Sequence, residues 1–147
     1  METIDVGIHI QAPIEQVWDF MAIFHEEEPL AKEVKFLRIL KEGPSGINGV
    51  GTVREAKIGM TKFVEEIVAF DPPNYFKYRV RKSTVPMKHD LGCFKFESTN
   101  GGTDVRWISR FELPWPVIGK MMEKYACRNM GNTFLSILKQ IKAYLEA

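Results

Sequence analysis

Residues 90–111, DLGCFKFESTNGGTDVRWISRF, are two alternating runs separated by Asn100-Gly101. An Asn-Gly pair between alternating residues is a strong hairpin signal, because both residues tolerate the positive φ that a type I′ turn needs. Folding the chain back at that turn pairs Phe96 with Val105, Phe94 with Trp107, Gly92 with Ser109 and Asp90 with Phe111. One face is then rich in aromatics, while the other holds Lys95, Glu97, Asp104, Arg106 and Arg110. A sheet with one buried and one solvated face follows.

Upstream, a two-residue turn at Gly59-Met60 sets Ile58 opposite Thr61, Ala56 opposite Phe63, Arg54 opposite Glu65 and Thr52 opposite Ile67. A loop at Asp71-Pro72-Pro73-Asn74 pairs Ala69 with Phe76, Ile67 with Tyr78 and Glu65 with Val80. The buried face thus continues through Phe63, Ile67, Phe76 and Tyr78 and carries one ion pair. Nearer the start, Ile4, Val6, Ile8 and Ile10 alternate onto one face of a strand. Pro13 opens a short helix with Ile14, Val17, Trp18 and Met21 on one side. His25-Glu26-Glu27-Glu28-Pro29 interrupts it, Leu30 to Lys32 suit one further turn, and a strand is expected from Val34 to Lys41.

At the other end, Ile118, Met122, Tyr125, Phe134, Leu138, Ile141 and Leu145 recur at helical spacing after Leu113-Pro114-Trp115-Pro116. The spacing predicts a helix of about 30 residues, roughly 45 Å long at ~1.5 Å per residue. Cys127, Asn129, Met130, Gly131 and Asn132 dilute its apolar stripe, so either the helix kinks or there is room beneath it.

At 147 residues and 45% hydrophobic content, the chain suits one domain over residues 1–147, able to bury ~68% of its unfolded surface. A net charge of +1 from 20 basic and 19 acidic residues gives no electrostatic footprint for nucleic acid or an anionic membrane. No apolar run approaches the ~18 residues of a membrane span. The opening METIDVGIHI lacks a charged-then-apolar signal pattern, so a cytoplasmic protein is expected. Cys93 and Cys127 lie far apart, with no CxxC and no ligand-spaced histidine. Two buried free thiols are expected, and no metal or cofactor.

Four segments in this order have a family look: API-x-x-VW-x-F at 12–20, GVGTVRE at 49–55, EEIVAFDPP-x-x-F-x-Y at 65–78 and GGTDVRW-x-x-x-F-x-L-P at 101–114. Together they resemble the START-like (SRPBCC) superfamily, and within it the bacterial polyketide cyclase/dehydrase and lipid-transport branch, with the birch pollen allergen a distant relative. The resemblance covers essentially the whole chain. It implies an α+β helix-grip fold, in which a curved antiparallel β-sheet wraps around a long C-terminal α-helix and encloses an internal apolar cavity. Members mostly bind hydrophobic small molecules such as lipids, quinones, sterols, hormones or polyketides, and a minority catalyse cyclisation or dehydration. The family has no universal catalytic motif, so the resemblance implies a pocket more than a reaction.

The glycine-rich stretch GPSGINGVGTVREA at 43–56 is a candidate phosphate cradle that fails on context. A P-loop needs Gly-Lys-Ser/Thr opening a helix, and a dinucleotide fingerprint needs G-x-G-x-x-G entering one. Here the spacing is G-x-x-G-x-G and a strand follows, which reads as turns.

If the cavity does chemistry, Arg54 and Glu65 are the candidates, since charges on an apolar face are costly unless paired. Such a pair either orients a polar head or transfers a proton, or it is structural. Asp90 falls on the inward face near a strand end, at a cavity mouth or in an exposed loop. Tyr78 and Ser109 are inward hydroxyls able to fix a polar atom, and Gly92 beside Ser109 leaves space. Phe63, Ile67, Phe76, Phe94, Phe96, Trp107, Phe111, Tyr125, Met130 and Phe134 are expected to line the space between sheet and helix. They are either core or pocket wall. Cys127 lacks a base, because His9 and His89 are expected on outward faces and His25 lies in the acidic segment. By the resemblance, Glu26-Glu27-Glu28 lies near the cavity entrance as a solvated turn or a lid.

Three functions are open at this point. The chain is a carrier of a hydrophobic small molecule, or a cyclase/dehydratase working on a polyketide-like substrate in the same cavity. The third is a protein-interaction module like the family's chaperone-activating members, although the exposed apolar patch this needs is not visible in the sequence.

Overall fold

The computed structural model describes residues 1–22, 31–46, 49–116 and 118–147. Its strands are β1 (Glu2–Ile10), β2 (Val34–Lys41), β3 (Val53–Ile58), β4 (Thr61–Asp71), β5 (Tyr75–Ser83), β6 (Lys88–Thr99) and β7 (Gly102–Glu112). Helix α1 (Ile14–Ala22) follows β1, and α2 (Ile118–Glu146) closes the chain. The strands form one antiparallel sheet in the order β1-β7-β6-β5-β4-β3-β2. Successive hairpins build it outward, and β1 returns to pair with β7 from Glu2 opposite Phe111 to Ile10 opposite Thr103. The curled sheet grips α2, which gives the α+β helix-grip architecture implied by the resemblance. The acidic segment His25 to Glu28 and its lid reading lie outside the described residues.

Hairpin chemistry sets most of the register. Asn100 and Gly101 hold φ of 52° and 76°, and the expected pairs Phe96–Val105, Phe94–Trp107 and Gly92–Ser109 are all present. Between β3 and β4, Ile58–Thr61, Ala56–Phe63 and Arg54–Glu65 are likewise in place. Of the sheet's register shifts, two change the expected pairs. One between Ile67 and Ala69 sets Phe70, not Ala69, opposite Phe76. The other, between His89 and Leu91, sets His89 rather than Asp90 opposite Phe111. Each bulge adds a residue and reverses which side chains face inward.

The glycine stretch forms successive turns: Gly46 N–H donates to Gly43 O, Gly49 N–H to Gly46 O and Thr52 N–H to Gly49 O. Gly51 takes φ of 92°, and β3 follows without a helix.

Packing concentrates between sheet and helices. Trp18 of α1 meets Phe70, Phe76 and Phe96 at ring separations of 5.4, 6.0 and 5.2 Å. Trp107 of β7 stacks on Phe134 of α2 at 3.7 Å, which pins the helix to the sheet. Helix α2 runs its 29 residues unbroken, so the diluted stripe marks space rather than a break. No helix among the described residues is long and apolar enough to cross a membrane.

Candidate functional site

Trp107 borders two cavities, and its stacking partner Phe134 borders the larger. The larger, about 470 Å³, lies between the concave face of the sheet and the N-terminal half of α2. Phe63, Tyr78, Trp107 and Phe111 from the sheet face Ala126, Asn129, Met130 and Thr133 of the helix across it. Its rim carries Val85, Trp115, Met121, Met122 and Tyr125, all exposed, with Met121 at 75% and Tyr125 at 73%. This is the exposed apolar patch that the sequence pattern does not reveal; helical spacing alone reads Met122 and Tyr125 as inward-facing. The smaller cavity, about 70 Å³, lies beneath the C-terminal half of α2 at Ile137 and Ile141. Ile58, Glu65, Tyr78 and Trp107 border both.

Local structure explains why the space exists. Strands β5 and β6 pair only from Tyr75–Lys95 to Tyr78–Gly92. The Tyr78 ring lies directly over Gly92, where an added Cβ would come within 2.1 Å of the ring's Cζ. Beyond that pair, the His89 ring substitutes for the backbone ladder: Val80 N–H donates to its Nδ1 at 3.1 Å. An amide can only donate, so Nδ1 is the lone-pair nitrogen and Nε2 carries the proton, directed at Ser109 Oγ 3.0 Å away. Burial pushes the His89 pKa down to about 4, against the pull of Asp90 and with a small further push from Arg79. The ring is therefore neutral at pH 7.

Charge enters the wall once among the described residues that line the larger cavity, at Glu65. Glu65 and Arg54 are 8% and 5% exposed, and Arg54 Nε donates to Glu65 Oε1 at 2.6 Å. The guanidinium also sits 5.6 Å from the Phe76 ring centre and 5.9 Å from that of Tyr78. Arg54 borders only the smaller cavity. Tyr78 Oη accepts from Trp107 Nε1–H at 2.9 Å. Burial first, and then the Glu65 charge, push its pKa well above the ordinary range, so the phenol keeps its proton.

The sequence profile of the family described as polyketide cyclase / dehydrase and lipid transport matches residues 1–146. The chain belongs to this family. Solved structures of the same fold include TTHA0849 from Thermus thermophilus, with 21% identity and a TM-score of 0.78, aligned over 98% of this chain and 97% of that one. A START superfamily protein from Mycobacterium smegmatis aligns at 16% identity and TM-score 0.75, over 98% and 97% of the two chains. The major latex-like protein 151 of Panax ginseng aligns at 13% and 0.71, again over 98% and 97%. Among the curated proteins none matches the chain.

In this member of the polyketide cyclase/dehydrase and lipid-transport family, the sequence-predicted residues separate into groups. Phe63, Tyr78, Trp107, Ser109, Phe111, Tyr125, Met130 and Phe134 border the large cavity, and Phe76 and Phe94 border the small one. Ile67 and Phe96 border neither, being packed in the core. Asp90 does not face the cavity. The bulge turns it outward, where it is half-exposed and pairs with Arg110 at 3.3 Å. His89, expected outside, takes the inward position instead. The signal was present in Leu91-Gly92-Cys93-Phe94, four consecutive non-polar residues that strict alternation does not allow. Both cysteines are free, but Cys127 is only half-buried. Among the described residues, no cluster of three or more His, Cys, Asp or Glu is placed to hold a metal.

Proposed function

We propose that this family member, as one domain over residues 1–147, binds or carries a hydrophobic small molecule of lipid, quinone or polyketide-like character in the large cavity. Carrying that reading is the 470 Å³ space walled chiefly by aromatic and aliphatic side chains, a size in the ordinary range for small-molecule sites. The exposed apolar rim supplies an entrance. Two free cysteines suit the reducing cytoplasm, where we place the protein.

Binding is favoured over turnover because the imidazole on the wall of the large cavity is already engaged. Both His89 nitrogens are spent, on Val80 and Ser109. A general base needs a free lone pair aimed at substrate. A cyclase or dehydratase reading then rests on Glu65, whose charge is already paired with Arg54 through one oxygen.

Titration with phenylnaphthylamine, an uncharged dye that fluoresces in apolar surroundings, tests the proposal. Saturable binding with one site per chain is the expected result. A folded protein that leaves the dye dark would overturn it.

A further inference from the structure

The Arg54–Glu65 pair is only half used. One hydrogen bond joins the two side chains, from Nε to Oε1. Among the described residues, no other hydrogen bond engages the Nη1 and Nη2 groups of Arg54 or the Oε2 atom of Glu65. The Arg54 side chain is 7% exposed and that of Glu65 11%, and both border the 70 Å³ cavity. A buried guanidinium normally has its donors satisfied, by protein, ligand or ordered water. Around it the other walls are apolar, apart from the Tyr78 hydroxyl and the Trp107 ring.

We propose that the small cavity is a head-group subsite for an uncharged group that presents a hydrogen-bond acceptor and a donor side by side. A hydroxy-ketone, the enol of a dicarbonyl or a primary amide has this pattern. The acceptor oxygen takes an Nη–H of Arg54 and the donor goes to Oε2 of Glu65. The apolar body of the ligand lies in the large cavity, which adjoins the subsite along Ile58, Glu65, Tyr78 and Trp107. This inference rests on the ligand-binding reading above.

Two features argue for an uncharged head. The ion pair is itself neutral, so it offers complementary hydrogen bonds rather than net charge. A carboxylate would gain Arg54 but meet the Glu65 carboxylate with no donor to give it. The walls of the large cavity hold no lysine or arginine among the described residues to offset that repulsion. Burying an unpaired anion there is costly.

Displacement of phenylnaphthylamine by a set of compounds on one naphthalene frame tests this: naphthalene, methyl naphthoate, naphthamide and naphthoate at pH 8. Naphthamide, with acceptor and donor together, is expected to bind about tenfold or more tighter than the acceptor-only ester, the scale of a hydrogen bond to a charged group. Naphthoate is expected to bind weakest. In the variant Arg54→Met/Glu65→Met, naphthamide loses its advantage over the ester.

If naphthamide and the ester bind equally, or naphthoate binds best, the head-group proposal is wrong although the cavity still binds ligands. If neither the dye nor any compound binds to folded protein, the ligand-binding reading itself fails. The wild-type series decides between these without the variant. As a further measurement on the wild type, the Arg54 Nε–H NMR signal is expected to shift with naphthamide and not with naphthalene, and an unmoved signal refutes the contact.

Discussion

Replacing Gly92 by alanine tests the packing that shapes the cavity wall. The new methyl would occupy the space of the Tyr78 ring, which is stacked against His89 at 5.6 Å and bonded through its hydroxyl to Trp107. The backbone at Gly92 sits in the β6–β7 ladder opposite Ser109, so the ring must move rather than the strand. Overpacking a filled site costs ~1–3 kcal/mol. Loss of the Trp107–Tyr78 hydrogen bond adds ~1 kcal/mol, giving about 2–4 kcal/mol in all. At ~2.1 cal/mol/K per residue over 147 residues, unfolding entropy converts that to a Tm drop of about 6–13 °C. Calorimetry on wild type, Gly92→Ala, Tyr78→Val and the double variant reads it directly. The double variant should cost clearly less than the sum of the singles, because valine vacates the space the methyl needs. A Gly92→Ala protein within ~0.5 kcal/mol of wild type, or costs that simply add, would refute the contact.

Three further outcomes are expected. Glu65→Met leaves a buried guanidinium without its counter-charge and should cost about 3–5 kcal/mol in urea unfolding, while Arg54→Met/Glu65→Met costs much less; equal costs would show that the pair is not coupled. His89 stays neutral in the fold down to about pH 4 but protonates near 6.5 when unfolded, so the unfolded state takes the proton first and stability falls as pH drops through that window. The slope at this partly exposed ring is less than the full ~1.4 kcal/mol per pH unit, and His89→Gln, which keeps an acceptor for Val80 N–H, should flatten it in urea midpoints; unchanged pH dependence would contradict the assignment. Met130→Trp fills the large cavity from the helix side and should weaken phenylnaphthylamine binding by more than about tenfold in a protein that still melts cooperatively.

Much of the fold was legible because turn chemistry sets strand register. Asn100-Gly101 and Gly59-Met60 placed Phe94 against Trp107 and Arg54 against Glu65, and the ion pair followed from counting residues. Counting failed where a bulge adds a residue. Ile67-Val68-Ala69-Phe70 and Leu91-Gly92-Cys93-Phe94 are apolar at both parities, so hydrophobicity does not reveal which residue is extra. A count without the bulge puts Asp90 inside and His89 outside, the reverse of the structure. Tyr125 shows a different limit: its spacing on α2 fits the inner stripe, yet it is largely exposed at the cavity rim. A void is a difference between the volume enclosed and the volume filled, and no pattern along the chain encodes it. The same holds for the spare donors of Arg54, because pairing predicts a partner without predicting how many of its bonds are made.

The central claim is that the large cavity holds a hydrophobic molecule. Native mass spectrometry of the protein purified from its own host, followed by solvent extraction, tests it most directly. The predicted result is a stoichiometric adduct that extraction releases as a mainly apolar, uncharged compound. An empty protein that also fails to bind phenylnaphthylamine would contradict the claim, and would turn attention to the exposed rim of Trp115, Met121, Met122 and Tyr125 as a surface for another protein.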